Sequence, residues 1–488
     1  MTKQITKHFM AFFLSLLMAV SMGFTAFAED TTYKLTLTGT TTGHTYEAYQ
    51  IFTGDLSTNT DGKKVLSNVK WGTGVTYTGE ESAADVAKAL GGGTMTIAQL
   101  EEKLTLTKPV KTVTSAKDKT VIDGLAAGYY LVKDEDGTQA GKSDAYTKFI
   151  VQVVGDTEAT VKSGVPTVEK KVKDTNDSTG KTSDWQDSAD ADINDDVEYQ
   201  ITGTMPSNIA DYTTYKYMFT DTMSKGLTYT AGTATIKIGE TVVTKSFKEN
   251  VTPNDDGSTT VTWTCENLKG ISGVTIDENT KVVVTYSAKL NENAVIGAAG
   301  NPNTVNLTYS NNPNKGGEGD TGKTPDDKNI VFTYKTVVNK VDQDKKSLAG
   351  AAFKLEKKQP DGTYKEIKSF TAGNDTTFTF TGLDDGDYKL TETTTPAGYN
   401  TIAPIEFTIS AEHDVTKDDP KLTSLSVTNS KAEFTAKTDE GSLTTDVVNK
   451  KGSTLPSTGG IGTTIFYVAG CAMVVLAGVM ITARKKAN

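Results

Sequence analysis

Lysine, acid and asparagine recur in this chain on stripes that are otherwise apolar. Successive strand residues point to opposite faces, so positions i, i+2 and i+4 share one. Over residues 332–340 that rule groups Phe332, Tyr334, Thr336, Val338 and Lys340. It places Glu392 with Tyr388 and Leu390, and Asn449 with Leu443, Thr445 and Val447. A second set has the same composition: Lys170 with Val168 and Val172, Asp221 with Tyr217 and Phe219, Asn303 with Val305, Leu307 and Tyr309. Lys171 falls on the opposite face from Lys170 and competes for its role. Burying an isolated ionised group is costly. Apolar surroundings lower a lysine pKa and raise a carboxyl pKa, so both groups can become neutral. A neutral lysine amine is a nucleophile, and a protonated carboxyl can hydrogen-bond an asparagine side-chain carbonyl and polarise it. Held close together, the three would form a Lys–Asn amide and release ammonia. The same pattern also fits an ordinary buried ion pair, or strand ends at which these groups reach water.

Strands must position such groups, and the composition favours them. The chain has 488 residues, 36% of them hydrophobic, with abundant threonine, a residue enriched in strands. That length fits roughly three domains. Turn signals divide it into 29–165, 166–328 and 329–450. The first boundary is Ser163-Gly164-Val165-Pro166, and the second is the Gly-, Asn- and Asp-rich stretch from Asn311 to Asp327. Short alternating runs between turns predict an all-β chain of tandem immunoglobulin-like sandwiches. Helices are predicted near 80–90 and 97–104. Gly382-Leu383-Asp384-Asp385-Gly386-Asp387-Tyr388 weakly repeats Gly124-Leu125-Ala126-Ala127-Gly128-Tyr129-Tyr130. The repeat would put Asp134 in the acid's place in the first domain. The closing strands there, 149–154 and 159–161, offer no asparagine, so no internal bond is expected in that domain.

Two terminal segments read as addresses. Residues 1–28 have the form of a secretory signal: Lys3 and Lys7, an apolar run from Phe9 to Phe24, then Ala26-Phe27-Ala28. At the other end, Leu455-Pro456-Ser457-Thr458-Gly459 precedes an apolar run over 461–483 and the basic Arg484-Lys485-Lys486. About twenty apolar residues can span a bilayer, and the basic tail would hold that end in the cytoplasm. The whole segment 455–488 resembles the cell-wall sorting signal read by sortases. That resemblance implies cleavage between Thr458 and Gly459 by a cysteine transpeptidase, which leaves Thr458 as an activated acyl group. The net charge of −11 and the lack of a basic patch argue against nucleic acid as a partner. Cys265 is the sole cysteine outside the C-terminal apolar run, so no intramolecular disulfide is available. His8, His44 and His413 are the three histidines. No metal-ligand spacing or serine-nucleophile motif appears. The chain reads as a non-enzyme without cofactor or metal.

The internal motifs are similar to those of Gram-positive backbone pilins, over essentially the whole chain. Val337-Val338-Asn339-Lys340-Val341 with Leu348-Ala349-Gly350-Ala351-Ala352-Phe353 resembles the opening of a collagen-adhesin B-type domain. Leu390-Thr391-Glu392-Thr393 with Pro396-Ala397-Gly398-Tyr399 resembles the E-box of that family, and Val448-Asn449-Lys450 its last strand. Thr220-Asp221-Thr222-Met223 and Asn303-Thr304-Val305 resemble the A-type variant of middle domains. The resemblance implies a Lys340–Asn449 bond assisted by Glu392 and a Lys170–Asn303 bond assisted by Asp221. In this family a lysine near the end of the first domain attacks the acyl group of the next subunit. Lys162 matches by position, although the usual Tyr-Pro before it is missing. The implied partners are a class C-type pilin sortase, a housekeeping sortase, identical subunits, peptidoglycan, minor pilins and host surface molecules. The function expected is the major subunit of a covalent pilus at the cell surface. The alternative is a monomeric wall-anchored adhesin.

Overall fold

The computed structural model describes residues 31–60, 62–95, 97–161 and 164–452. Lys162, the sorting motif Leu455 to Gly459, the signal segment and the apolar run 461–483 lie outside these. No helix among the described residues is long and apolar enough to cross a membrane.

Strands dominate because buried and exposed positions alternate along them. Tyr217–Met223, for instance, buries every second residue, Tyr217, Phe219, Asp221 and Met223. In the first domain the strand Tyr33–Thr40 lies between Thr157–Thr160, parallel, and Asp118–Leu125, antiparallel. A second sheet orders Lys64–Trp71, Thr45–Thr58, Gly128–Asp134 and Lys148–Val153. The helix Ala83–Gly91 packs Val86, Ala87 and Leu90 inward, and the Ser82 side chain caps it by accepting from the Asp85 N–H. A short helix follows at Ile97–Glu101. The second helix falls within its predicted span, and the first runs one residue past its own.

The middle domain is a two-sheet sandwich. One sheet runs Val168–Val172, Asp196–Thr204, Lys281–Leu290 and Thr235–Ile238, all antiparallel. The other runs Ser188–Asp190, Asp327–Phe332, Asn301–Ser310, Tyr217–Met223 and Thr259–Cys265. Tyr199, Tyr217, Phe219, Trp263, Tyr286 and Leu307 fill the space between them. The strand Asp327–Phe332 crosses the position between 328 and 329 where the polar stretch suggested a break. It pairs with Asn301–Ser310, and its Val331 joins the middle core while Ile330 and Phe332 join the next one. Adjacent strand residues serve two cores because they face opposite ways.

The third domain sets Tyr334–Asp342 between Thr377–Leu383, antiparallel, and Ser442–Asn449, parallel. Its second sheet orders Tyr364–Phe370, Ala352–Lys358, Gly386–Thr394, Ile405–His413 and Leu422–Thr428. The first and third domains thus share a pattern: an opening strand with a parallel closing strand on one side. The weak sequence repeat is the same turn in both, joining Asp118–Leu125 to Gly128–Asp134 and Thr377–Leu383 to Gly386–Thr394. Gly124 and Gly382 both take positive φ there, 68° and 76°, a conformation that suits glycine.

Candidate functional site

The third-domain groups meet because two parallel strands end side by side. Lys340 stands opposite Val447, and Asn449 lies two residues further along the same strand. The Lys340 Nζ donates to Val447 O at 2.9 Å and contacts Asn449 Oδ1 directly. Glu392 arrives from the facing sheet. Its Oε1 is 3.7 Å from Lys340 Nζ, and its Oε2 accepts from Asn449 Nδ2 at 3.0 Å. Thr395 Oγ1 and the Ile402 N–H also donate to that Oε2, which fixes the carboxyl. The Asn449 amide is oriented by a second bond to Asn400 O, 2.9 Å. All three side chains are buried. Burial pushes the Lys340 pKa down, and the nearby Glu392 partly opposes it.

The middle-domain set converges in the same way, with one member more. Lys170 donates to Asp221 Oδ1 at 2.6 Å and to the Tyr286 hydroxyl at 2.7 Å. That hydroxyl donates to Asp221 Oδ2 at 2.5 Å and accepts from Asn303 Nδ2 at 2.8 Å. The ammonium lies over the rings of Tyr199 and Tyr286, 5.1 Å from each centroid. Lys170, Asp221 and Asn303 are each 0% exposed. Burial lowers the Lys170 pKa against the pull of Asp221. Lys171 is elsewhere: it pairs with Asp187 at 2.6 Å and Glu169 at 3.1 Å on the half-exposed face. The geometry favours Lys170.

Two features differ from expectation. The acid was expected at the asparagine carbonyl. Instead Glu392 holds the amide nitrogen of Asn449, and Asp221 reaches Asn303 through Tyr286. Both acids therefore stand on the side of the incoming amine and the leaving group. Tyr286 was also missed. It shares its face with Val282, Val284 and Ala288, so in the sequence it is one more core residue.

In the first domain Asp134 is buried at the end of the strand that corresponds to Glu392's. No lysine is paired with its carboxyl among the described residues. His44 does, with Nδ1 2.9 Å from Asp134 Oδ1 and Nε2 3.4 Å from Asp144 Oδ2. Burial works against the imidazolium, but hydrogen bonds to Asp134 and Asp144 prevail and hold the pKa at about 9.

The junction between the second and third domains carries a further buried cation, on the stripe of Phe353 and Leu355. Lys357 sits with its amine 2.8 Å from Asp192 of the middle domain, in direct contact with Asp384, and 3.6 Å from Asp177. At the other junction Tyr146 donates to Asp320 at 2.9 Å and Asn311 donates to Gln139 O at 2.8 Å.

Three stretches match known families. Residues 193–313 match a Gram-positive pilin backbone subunit domain described as Cna-B-like, 335–421 a prealbumin-like fold domain, and 447–488 the LPXTG cell wall anchor motif. The middle match is thus to a Cna-B-like domain, where the motifs implied the A-type variant. The trypsin-resistant surface T6 protein of Streptococcus pyogenes serotype M6 is 28% identical over 97% of this chain and 99% of its own length. The T6 backbone pilin structure from serotype M6 S. pyogenes superposes with a TM-score of 0.53 at 20% identity, covering 88% of this chain and all of that one. The full-length major pilin SpaD of Corynebacterium diphtheriae gives 0.50 at 20% identity, covering 87% and 98%. These two share the fold. Fold and anchor together define the class: a secreted, all-β protein of tandem domains fixed to the Gram-positive cell wall. Within that class the chain is a sortase-assembled major pilin, the backbone subunit of a surface pilus and a structural protein, not an enzyme. The matches to backbone subunits set aside the monomeric adhesin.

Proposed function

We propose that this pilin is locked by two internal amides, Lys170–Asn303 and Lys340–Asn449, and polymerised through a third between Thr458 and Lys162 of the next subunit. In each internal reaction the lysine passes a proton to its acid. The free amine then attacks the asparagine Cγ, and the side-chain nitrogen leaves as ammonia. The observation that carries this reading is the convergence of lysine, acid and asparagine, fully buried, in two separate domains. The first domain, where His44 faces Asp134, has no such bond in this reading.

Polymerisation follows the sorting signal. A class C-type sortase cuts after Thr458, holds the acyl group on its cysteine and transfers it to the Lys162 amine. A housekeeping sortase passes the last subunit to peptidoglycan. Minor pilins and host surface molecules complete the partners. The chain is read as modules 29–165, 166–328 and 329–450, with Asp327–Phe332 shared across the second boundary.

Intact mass of the exported chain without its terminal signals tests the internal bonds: two amides give a deficit of two ammonia molecules, and the full theoretical mass refutes them. Lys162→Ala tests the polymer. It should abolish the high-mass ladder in boiled wall extracts while leaving monomer expression intact.

A further inference from the structure

The middle-domain site has a fifth buried polar residue without an assigned role. Asn329 lies on Asp327–Phe332 directly opposite Asn303 in the antiparallel register. Directly opposed residues share a face with Cβ atoms about 4.5–5.5 Å apart. Both asparagines are 0% exposed. The Asn303 Oδ1 and both polar atoms of the Asn329 side chain lack a hydrogen-bond partner among the described residues. An unsatisfied buried polar group destabilises a fold, so an apolar residue would serve packing better at position 329.

The proton-handling groups all sit on one side of Asn303. Asp221 and Tyr286 bind each other, the amine and the amide nitrogen. None of them touches Asn303 Oδ1, where negative charge gathers when the amine attacks. We infer that Asn329 is a catalytic residue of the middle-domain reaction, donating from Nδ2 to Asn303 Oδ1. The inference rests on the Lys170–Asn303 bond proposed above. Attack by the Lys170 amine forms the N–Cγ bond and pushes the carbonyl π electrons onto Oδ1, which Asn329 stabilises. Collapse restores the C=O and breaks the Cγ–Nδ2 bond. The leaving nitrogen takes the lysine's proton by way of Asp221 and Tyr286 and departs as ammonia. In the product Asn329 remains the donor to the new amide carbonyl.

The test is mass spectrometry of the exported chain, with peptide mapping to assign each ammonia deficit to its domain. Wild type should carry both. Asn329→Leu, which keeps the volume, and Asn329→Ala, which removes the carboxamide without adding bulk, should slow middle-domain bond formation about 10²–10³-fold, as loss of one oxyanion donor does. That appears as unbonded Lys170 in freshly purified protein, with the third-domain deficit and far-UV circular dichroism unchanged. A folded Asn329→Leu or Asn329→Ala chain that bonds at the wild-type rate overturns the inference. So does an Asn303→Ala chain that keeps the middle deficit through a Lys170–Asn329 link, because Asn329 would then be an acceptor. A wild-type chain with no middle-domain deficit refutes the underlying bond itself and is told apart by that result.

Discussion

A single hydrogen-bonding side chain decides what each domain's interior can do. Glu392 and Asp134 occupy matching strand positions, yet one faces a lysine beside an asparagine and the other faces a histidine. Glu392→Ala should leave Lys340 and Asn449 unjoined, restoring one ammonia to the mass. The lost cross-link closes a sequence separation of 109. By analogy with a disulfide of that loop length it should cost about 4–5 kcal/mol, read as a lower third-domain unfolding temperature. His44 gives a pH dependence of defined sign. Its pKa rises on folding from the ordinary 6.5 to about 9, so its ion pairs stabilise fully below pH 6.5 and the gain is lost as pH climbs through 9. First-domain melting temperature should therefore fall by several degrees between pH 6.5 and 9.5, and His44→Gln should flatten that slope. At this scale the sequence was readable wherever a polar residue broke an apolar alternation, as Lys340, Asp221 and Asn303 do. Tyr286 was not readable, since an aromatic ring on a core stripe raises no question. Asn329 fell at a presumed domain boundary, where no strand register was available to read.

At the scale of elements, the repeated hairpin was legible from two glycines and a leucine, because the turn needs positive φ and the leucine needs a core. The surroundings of the two copies were not legible. A Cβ on Gly124 would meet the flexible end of Lys111 at 3.1 Å, whereas one on Gly382 would lie 2.3 Å from Ile193 Cδ1 and 2.9 Å from its Cβ. Gly124→Ala should cost roughly 1 kcal/mol, the strain of the backbone alone. Gly382→Ala should cost clearly more, because Ile193 belongs to the neighbouring domain and must shift. Chemical denaturation of the two variants side by side checks the ranking. The strand Asp327–Phe332 shows why boundaries are hard to place from composition. A Gly- and Asn-rich approach signals a linker, but alternate residues of the strand that follows are committed to two different cores.

Across the whole molecule, the joint between the second and third domains is polar and buried, with Lys357 held by Asp192 and Asp384 from opposite sides of it. Lys357→Met leaves those carboxylates without their cation, a loss of about 3–5 kcal/mol for a buried pair. Hydrogen exchange around 190–195 and 382–388 should accelerate, while an intact third-domain ammonia deficit reports that the domain still folds. Lys357 continues the buried stripe of Phe353 and Leu355 and was legible there, whereas Asp192 and Asp384 lie outside the strands, where no register announced them. The parallel placement of Ser442–Asn449 beside Tyr334–Asp342 has a mechanical consequence. Tension that enters at Tyr334 would travel along the opening strand to Lys340, cross the proposed amide to Asn449 and leave toward the wall anchor. The intervening chain, on the order of 380 Å if drawn out, hangs as slack outside the load path. A filament of such subunits would meet shear as a nearly inextensible cord, with the third domain's fold kept out of the pull.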